Sequence, residues 1–202
     1  MLRVTEGRAI FTRGSDVSRI LNGIFMIAML GVLSACAPAV QPGRMVPESA
    51  VFRGDRFDSP LHNAIAVTRV GGGEKTNLLL VSKVGDEEMR ETLRLSLQQY
   101  GFHASSEAGA PFHLEVFLIE LRQPVSGLTM IVTSVVRYKL VRSSDDQAIY
   151  DDIITASYQA TVNEAFVGAQ RLKLANEGSI RANIASFLTR LDSLNIAKPP
   201  AQ

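Results

Sequence analysis

The sequence predicts an α+β fold, a two-layer sandwich in which a mostly antiparallel sheet is covered by two helices in the order β-α-β-β-β-α. Three observations predict it. Apolar and polar residues alternate over three consecutive stretches after residue 112. Two other stretches repeat apolar residues at helical spacing, and turn residues separate these segments. Because each element would have one apolar side, we expect the helices to lie on one face of the sheet.

The first half of this pattern is a strand followed by a helix. Asn63–Val70 is rich in β-forming residues and ends at three glycines, and it is the predicted first strand. Residues 78–81 are a second short strand or a packed loop. Asp86 is expected to cap a helix that Gly101 terminates. The apolar residues of that helix recur at helical spacing: Met89, Leu93, Leu97 and Tyr100.

The second half is a meander of three strands followed by a long helix. The strands are predicted over Phe112–Leu121, Leu128–Val141 and Ala148–Ala160, with Ser143–Gln147 as the last hairpin connection. The middle strand should bury one face, made of Leu128, Met130, Val132, Val136, Tyr138 and Leu140. The final strand should bury Tyr150, Ile154, Ala156, Tyr158 and Ala160. The C-terminal helix carries one apolar stripe, made of Ile180, Ile184, Phe187, Leu188 and Leu191.

The N-terminal segment has the layout of a secretory signal peptide. Arg19 precedes an apolar run over Ile24–Leu33, and small residues follow it. The run is shorter than the ~20 residues that a membrane-spanning helix needs. We therefore predict a signal peptide over residues 1–35. Its leader is unusually long and carries acidic residues, so translation is expected to begin at Val17, which makes residues 1–16 a mis-annotated start.

The end of this segment, Leu33-Ser34-Ala35-Cys36, resembles the lipobox of bacterial lipoproteins. The resemblance implies cleavage between Ala35 and Cys36 and attachment of a diacylglyceryl group, with palmitate-type chains, to the Cys36 thiol. Two or more acyl chains anchor a protein stably to a bilayer. Ala37 stands where an Asp would be typical of inner-membrane retention. The resemblance thus implies the periplasmic face of the outer membrane, with the inner membrane as the alternative.

The mature chain divides into three parts. Residues 36–60 contain the lipidated Cys36 and several prolines and glycines that interrupt helices and ladders, so we predict a flexible tether there. Residues 61–196 form the α+β domain. Residues 197–202 are predicted to be a disordered tail.

A second resemblance concerns residues 62–194. Tyr158–Phe166 is a last strand that runs into an Ala-Phe corner, and Ile180–Ile184 lies in the helix that follows. This arrangement behind a lipobox resembles small outer-membrane lipoproteins such as the YajG-like family and the lipopolysaccharide-assembly lipoproteins. The resemblance implies a fold and a role in the cell envelope. It implies no catalytic residue.

The composition and the polar residues exclude several function classes. A formal net charge of +1 gives no basic footprint for nucleic acid. The histidines His62, His103 and His113 are too widely spaced to predict a metal site. The stretch Gly71–Thr76 has glycines, Lys and Thr but lacks the phosphate-loop spacing, so a tight turn is predicted. The paired carboxylates Asp145, Asp146, Asp151 and Asp152 are interpreted as solvated, although such pairs can perform acid–base chemistry.

The sequence thus predicts no catalytic, cofactor-binding or metal-binding residue. We expect a non-enzymatic accessory module of envelope assembly or transport, held by its anchor near an envelope protein or lipid partner. Phe166 and Val167 could line a groove for that partner, or they could close the core under the last helix. The alternative function is an envelope enzyme that acts on lipid or glycan, with a site assembled from residues far apart in the sequence.

Overall fold

The structure, a computed structural model, describes residues 39–48, 59–74, 82–194 and 196. The signal peptide, Cys36, the predicted element at residues 78–81 and the tail 197–202 lie outside the described residues. Ala37–Gln202 forms one compact unit by itself, and all the described elements belong to it.

The described elements confirm the α+β fold and its order from the first strand onward, and a short helix precedes that strand. They are α1 (Pro42–Met45), β1 (Ile65–Gly71), α2 (Asp86–Gln99), β2 (Phe112–Arg122), β3 (Met130–Arg142), β4 (Ala148–Ala160) and α3 (Gly168–Asp192). The sheet has the order β1-β2-β3-β4. β1 is parallel to β2, because α2 connects them as a crossover, and the other two pairs are antiparallel. The loops β2–β3 and β4–α3 therefore lie at one end of the sheet, which we call the loop end.

The core lies between one face of the sheet and the two long helices. α2 packs on β1, while α3 crosses β3 and β4. Alternation from Met130 to Leu140 along β3 buries Val132, Val136, Tyr138 and Leu140 against the helices, as predicted. The predicted stripe of α3, from Ile180 to Leu191, is buried as well. Leu128 is an exception, because it precedes β3 in an exposed loop and is 77% exposed.

Polar side chains fix α3 on the sheet. The Asn183 amide donates to the carbonyl oxygens of Ile154 (2.9 Å) and Ser134 (3.2 Å), and its oxygen accepts from the Tyr138 hydroxyl at 3.0 Å. The Tyr138 ring stacks on Phe187 with centroids 4.2 Å apart. Burial raises the pKa of Tyr138 well above its ordinary value. Because these buried polar groups are paired, they specify how the helix sits without an unpaired donor or acceptor.

The prediction of a flexible tether over residues 36–60 is wrong for residues 39–48. This segment packs in the groove between α2 and α3, where Val40 and Met45 are buried. Prolines and glycines exclude long helices and ladders, but they do not prevent a short segment from packing. Five hydrogen bonds fix the segment to the helices: Gln41 N–H to Glu177 Oε1 (2.8 Å), Thr92 Oγ1 to the Pro42 carbonyl (3.3 Å), Arg181 Nη1 to the Arg44 carbonyl (3.0 Å), and the Tyr100 hydroxyl (2.9 Å) and Gln99 Nε2 (3.0 Å) to the Pro47 carbonyl.

The start of α2 also differs from the prediction in one detail. Gly85, not Asp86, is the N-cap residue. The Asp86 carboxylate instead accepts the N–H of Gly73 at 2.7 Å, which ties the glycine-rich turn after β1 to the helix. Gly72 has a φ of +83°, and an added Cβ there would clash with the Leu118 carbonyl oxygen. Only glycine fits this turn.

Candidate functional site

One face of the sheet is not covered by α2 or α3. Its residues alternate with the core residues of the strands, yet four of them are large and apolar: Phe117, Ile119, Ile131 and Ile153. Each is about half exposed. Phe117 lies beside Gly71 of β1, and Arg137 stands between Phe117 and Ile153 in the register of the sheet. We call this surface the open face. Large exposed apolar side chains on a sheet face mark a candidate interaction site.

A row of charges crosses the open face next to Phe117. The register places Arg69, Glu115, Lys139 and Asp151 side by side on the four strands. The Glu115 carboxylate lies 3.9 Å from the Arg69 guanidinium and 3.6 Å from the Lys139 ammonium. One carboxylate therefore faces two cations. A depression of about 360 Å³ lies between this row and Phe117.

Arg137 lines the same depression and forms an ion pair with Asp151. Its guanidinium donates to both carboxylate oxygens of Asp151, at 2.8 and 2.7 Å. These bonds lower the pKa of Asp151 and raise that of Arg137. The five charged groups comprise three cations and two carboxylates. The rim of the depression is thus net positive, while Phe117 supplies an apolar wall.

Phe166 and Val167 lie on the surface, so they do not close the core under α3. Phe166 is 91% exposed. With Val125, Leu128 and Val162 they form a group of exposed apolar side chains on the two loops of the loop end, which we call the loop patch. The buried Arg171 guanidinium joins the two loops, because it donates to the carbonyl oxygens of Gly127 (2.9 Å), Ala165 (2.8 Å) and Phe166 (2.9 Å).

A polar pocket of about 330 Å³ lies where α1, β4 and α3 meet. It contains Glu164 and Glu177, whose pKa values shift in opposite directions. Burial raises the pKa of Glu177. The pKa of Glu164 is lowered because its carboxylate accepts the Thr161 N–H and the Tyr158 hydroxyl. Glu177 in turn accepts the Gln41 N–H and lies 3.7 Å from the Lys173 ammonium.

The structure does not bring the other candidate residues of the sequence together. Asp145 pairs with Arg142, Asp151 with Arg137, and Asp152 with Arg190, so these carboxylates form separate surface ion pairs. The histidines lie at separate places: His62 before β1, His103 after α2, and His113 on the open-face side of β2. Within the described ranges, no three His, Cys, Asp or Glu side chains cluster as metal ligands would.

The open face was missed in the sequence, although a signal for it exists. On strands of this kind the solvent side is expected to be polar. Phe117, Ile131 and Ile153 break that alternation on three neighbouring strands. Which of them lie close to the charged row depends on the strand order and register, which the sequence alone did not determine.

No family model matches this chain, and no curated protein sequence matches it. Solved structures with a similar arrangement of elements include the following three. Protein XCC0632 from Xanthomonas campestris, of the family model DUF330, has a TM-score of 0.47 at 10% identity, covering 80% of this chain and 88% of its own. Lipoprotein GNA1162 from Neisseria meningitidis has a TM-score of 0.39 at 11% identity, covering 64% of this chain and 96% of its own. A minor lipoprotein from Acinetobacter baumannii has a TM-score of 0.38 at 16% identity, covering 67% and 99%.

Two of these three neighbours are bacterial lipoproteins by name. At such low identities the role of this chain has to be argued from its own residues. In the part of the chain that the structure describes, no helix has the length and apolar character needed to cross a bilayer.

Proposed function

We propose that the chain is a lipoprotein anchored through Cys36 at the periplasmic face of the outer membrane. There it acts as a non-enzymatic binding module for an anionic lipid in envelope assembly or transport. The observation that supports the binding role is the open face, where an apolar wall adjoins a net positive rim. The lipobox Leu33–Cys36 supports the anchor.

The first prediction tests the anchor. Cys36→Ser is expected to abolish incorporation of labelled palmitate and to leave an uncleaved precursor, because a hydroxyl cannot replace the thiol that the diacylglyceryl group is attached to. Palmitate labelling and the size of the product are measured in cells that express the variant. The matched control is Ser34→Ala, which keeps a small residue before the cysteine and should be labelled like the parent. Labelling that survives Cys36→Ser would refute the anchor.

The geometry of the open face supports an anionic amphiphile as the ligand. The five charged groups carry one surplus positive charge, which a headgroup anion bound on the solvent side of Arg69 and Lys139 would balance. The apolar residues extend from this row along the strands through Phe117 to Ile119. An acyl chain that follows them would be removed from water on one side, which favours binding in proportion to the area covered.

The second prediction tests this ligand class. We expect the chain Ala37–Gln202 to bind lysophosphatidylglycerol more tightly than lysophosphatidylcholine of equal chain length, measured by calorimetry below the micelle concentration. The double variant Arg69→Gln, Lys139→Gln should bind the anionic lipid about tenfold more weakly, equivalent to about 1.4 kcal/mol. Inorganic phosphate should not bind measurably, because it offers no acyl chain to Phe117.

The matched control for this measurement is Arg122→Gln. Arg122 lies on the same strand as Phe117, is exposed, and pairs with Glu120 at 2.6 Å outside the depression. Its loss should leave the affinity unchanged. Equal binding of the two lipids, or an equal effect of both variants, would contradict the proposed site.

The alternative of an envelope enzyme is favoured by one observation, the two carboxylates with opposed pKa shifts in the polar pocket. Both carboxylates already have structural partners, the Gln41 N–H and Lys173 for Glu177 and Thr161 and Tyr158 for Glu164. Complementation of a deletion strain discriminates the two functions. If the protein is an enzyme that uses this pocket, Glu164→Gln should abolish complementation. If it is the lipid-binding module, the double variant Arg69→Gln, Lys139→Gln should abolish complementation instead.

A further inference from the structure

The loop patch is the most exposed apolar surface among the described residues. It consists of Val125, Leu128, Val162, Phe166 and Val167. Phe166 and Leu128, at 91% and 77%, are far more exposed than the half-exposed residues of the open face. None of these side chains contributes to the core clusters. Their position therefore needs an explanation other than folding.

The patch is held in place by the fold. Arg171 is buried, and its guanidinium bonds carbonyl oxygens of both loops, so that Gly127 and Phe166 are fixed to the first turn of α3. A charge-assisted hydrogen bond is stronger than a neutral one, and Arg171 makes three of them. The chain thus uses a buried cation to present apolar side chains outward. Such an arrangement suits insertion into an apolar medium.

The position of the packed segment 39–48 relative to the loop end is also informative. Gln41 is bonded to Glu177, nine residues after the start of α3 and so about 14 Å along the helix from the loop end. From there the segment runs towards Tyr100 at the far end of α2, where Pro47 is bonded. Gln41 is therefore the end of the packed segment that lies nearer to the loop end.

The reach of the chain then limits the position of the anchor. Cys36 is five residues before Gln41, which is at most about 17 Å of extended backbone. Because residues 40–48 are packed against the domain, they do not lengthen the connection between Cys36 and the domain. Because the loop end lies about 14 Å from Gln41 along α3, this reach allows an acyl group on Cys36 to hold the loop end close to the bilayer surface.

We propose that the loop patch inserts into the bilayer that holds the acylated Cys36, so that the domain stands on the membrane with its loop end down. This inference rests on the proposed acylation of Cys36. Phe166 and Leu128 are the side chains expected to enter the interface, where exposed aromatic and aliphatic residues contribute to binding. The open face then stands roughly upright beside the membrane, where a lipid can reach it, and the β3–β4 hairpin points away.

The chain offers a clean probe, because it contains no tryptophan. Phe166→Trp keeps an aromatic side chain at an exposed position, so the substitution should not destabilise the fold. The acylated protein is reconstituted into vesicles of phosphatidylethanolamine and phosphatidylglycerol. We expect its emission to shift to shorter wavelength and to fall about twofold when the acyl chains are brominated, as for tryptophan at a membrane interface. The matched control is Ser144→Trp, in the exposed β3–β4 hairpin at the opposite end, which should show neither effect.

The outcomes separate this inference from the proposed anchor. The mass of the same preparation shows whether Cys36 carries acyl chains, and their absence would overturn both the anchor and the insertion. If the acylated Phe166→Trp variant keeps the emission of a water-exposed ring in vesicles, the insertion alone is overturned. A shift that occurs without vesicles and grows with protein concentration would assign the patch to a second copy of the chain, and would overturn the insertion as well.

Discussion

Replacing Ile184 with Asp is expected to abolish cooperative folding of the chain Ala37–Gln202. Ile184 is fully buried on α3, in the core that also contains Phe187 and Tyr138. Burying an unpaired carboxylate there costs several kcal/mol, comparable to the total stability of about 5–15 kcal/mol of a typical domain. Circular dichroism during thermal unfolding measures the effect, and the variant should show no transition near that of the parent.

The control for this variant is Ser186→Asp. Ser186 is exposed and lies two residues further along the same helix. It introduces the same charge without burial, so that its melting temperature should stay within a few degrees of the parent. If Ile184→Asp melted like Ser186→Asp, the stripe Ile180–Leu191 would not be core.

The strands and helices were predictable because each has a strong local pattern. β3 alternates over eleven residues, Met130–Leu140, and the predicted limits of β4, Ala148–Ala160, are those observed. The long helix was harder, since buried polar residues such as Asn176 and Asn183 blur its apolar stripe. These side chains are compatible with burial only because strand and loop carbonyl groups accept their N–H groups. Such partners come from distant parts of the chain, so the sequence did not reveal them.

The packing of residues 39–48 was not predictable for a similar reason. Val40 and Met45 are two apolar residues among prolines and glycines, and they show no period of a helix or strand. Their burial depends on the groove between α2 and α3, which exists only once both helices lie on the sheet. Local patterns indicate elements, whereas a docked segment is defined by the surface that receives it.

The candidate sites also contain residues that a local sequence pattern indicates and residues whose role depends on distant parts of the chain. Phe166 and Val167 were recognised because an apolar pair in a predicted loop is conspicuous in the sequence. The Arg171 side chain that fixes their loop was not recognised, since its three acceptors are backbone carbonyls that any residue could provide. The charged rim of the open face combines residues from four strands, and no short motif encodes it.

The packed segment 39–48 leads to the other prediction with a large expected effect. A flexible tether would tolerate any sequence of equal length, but this segment contributes to the core. Replacing residues 39–48 by glycine and serine should therefore destabilise the chain, rather than leave its fold unchanged. Met45→Ala alone removes a fully buried side chain, which typically costs about 2–5 kcal/mol and would lower the melting temperature by about 4–20 °C.

Gly43→Ala is the matched control, since Gly43 lies two residues earlier and an added methyl group meets no atom within 4 Å. Its melting temperature should stay within about 2 °C of the parent, as for most surface substitutions. Thermal unfolding of the three variants and the parent, all as Ala37–Gln202, makes the comparison.

If the Gly/Ser replacement had the same melting temperature as the parent, residues 39–48 would be a tether after all. The loop end would then lose its short connection to Cys36, and the domain could stand off the bilayer. If the replacement and Met45→Ala are destabilised while Gly43→Ala is not, the anchor and the fold are joined by a packed segment, and the distance of the domain from the membrane is set by the few residues before Val40.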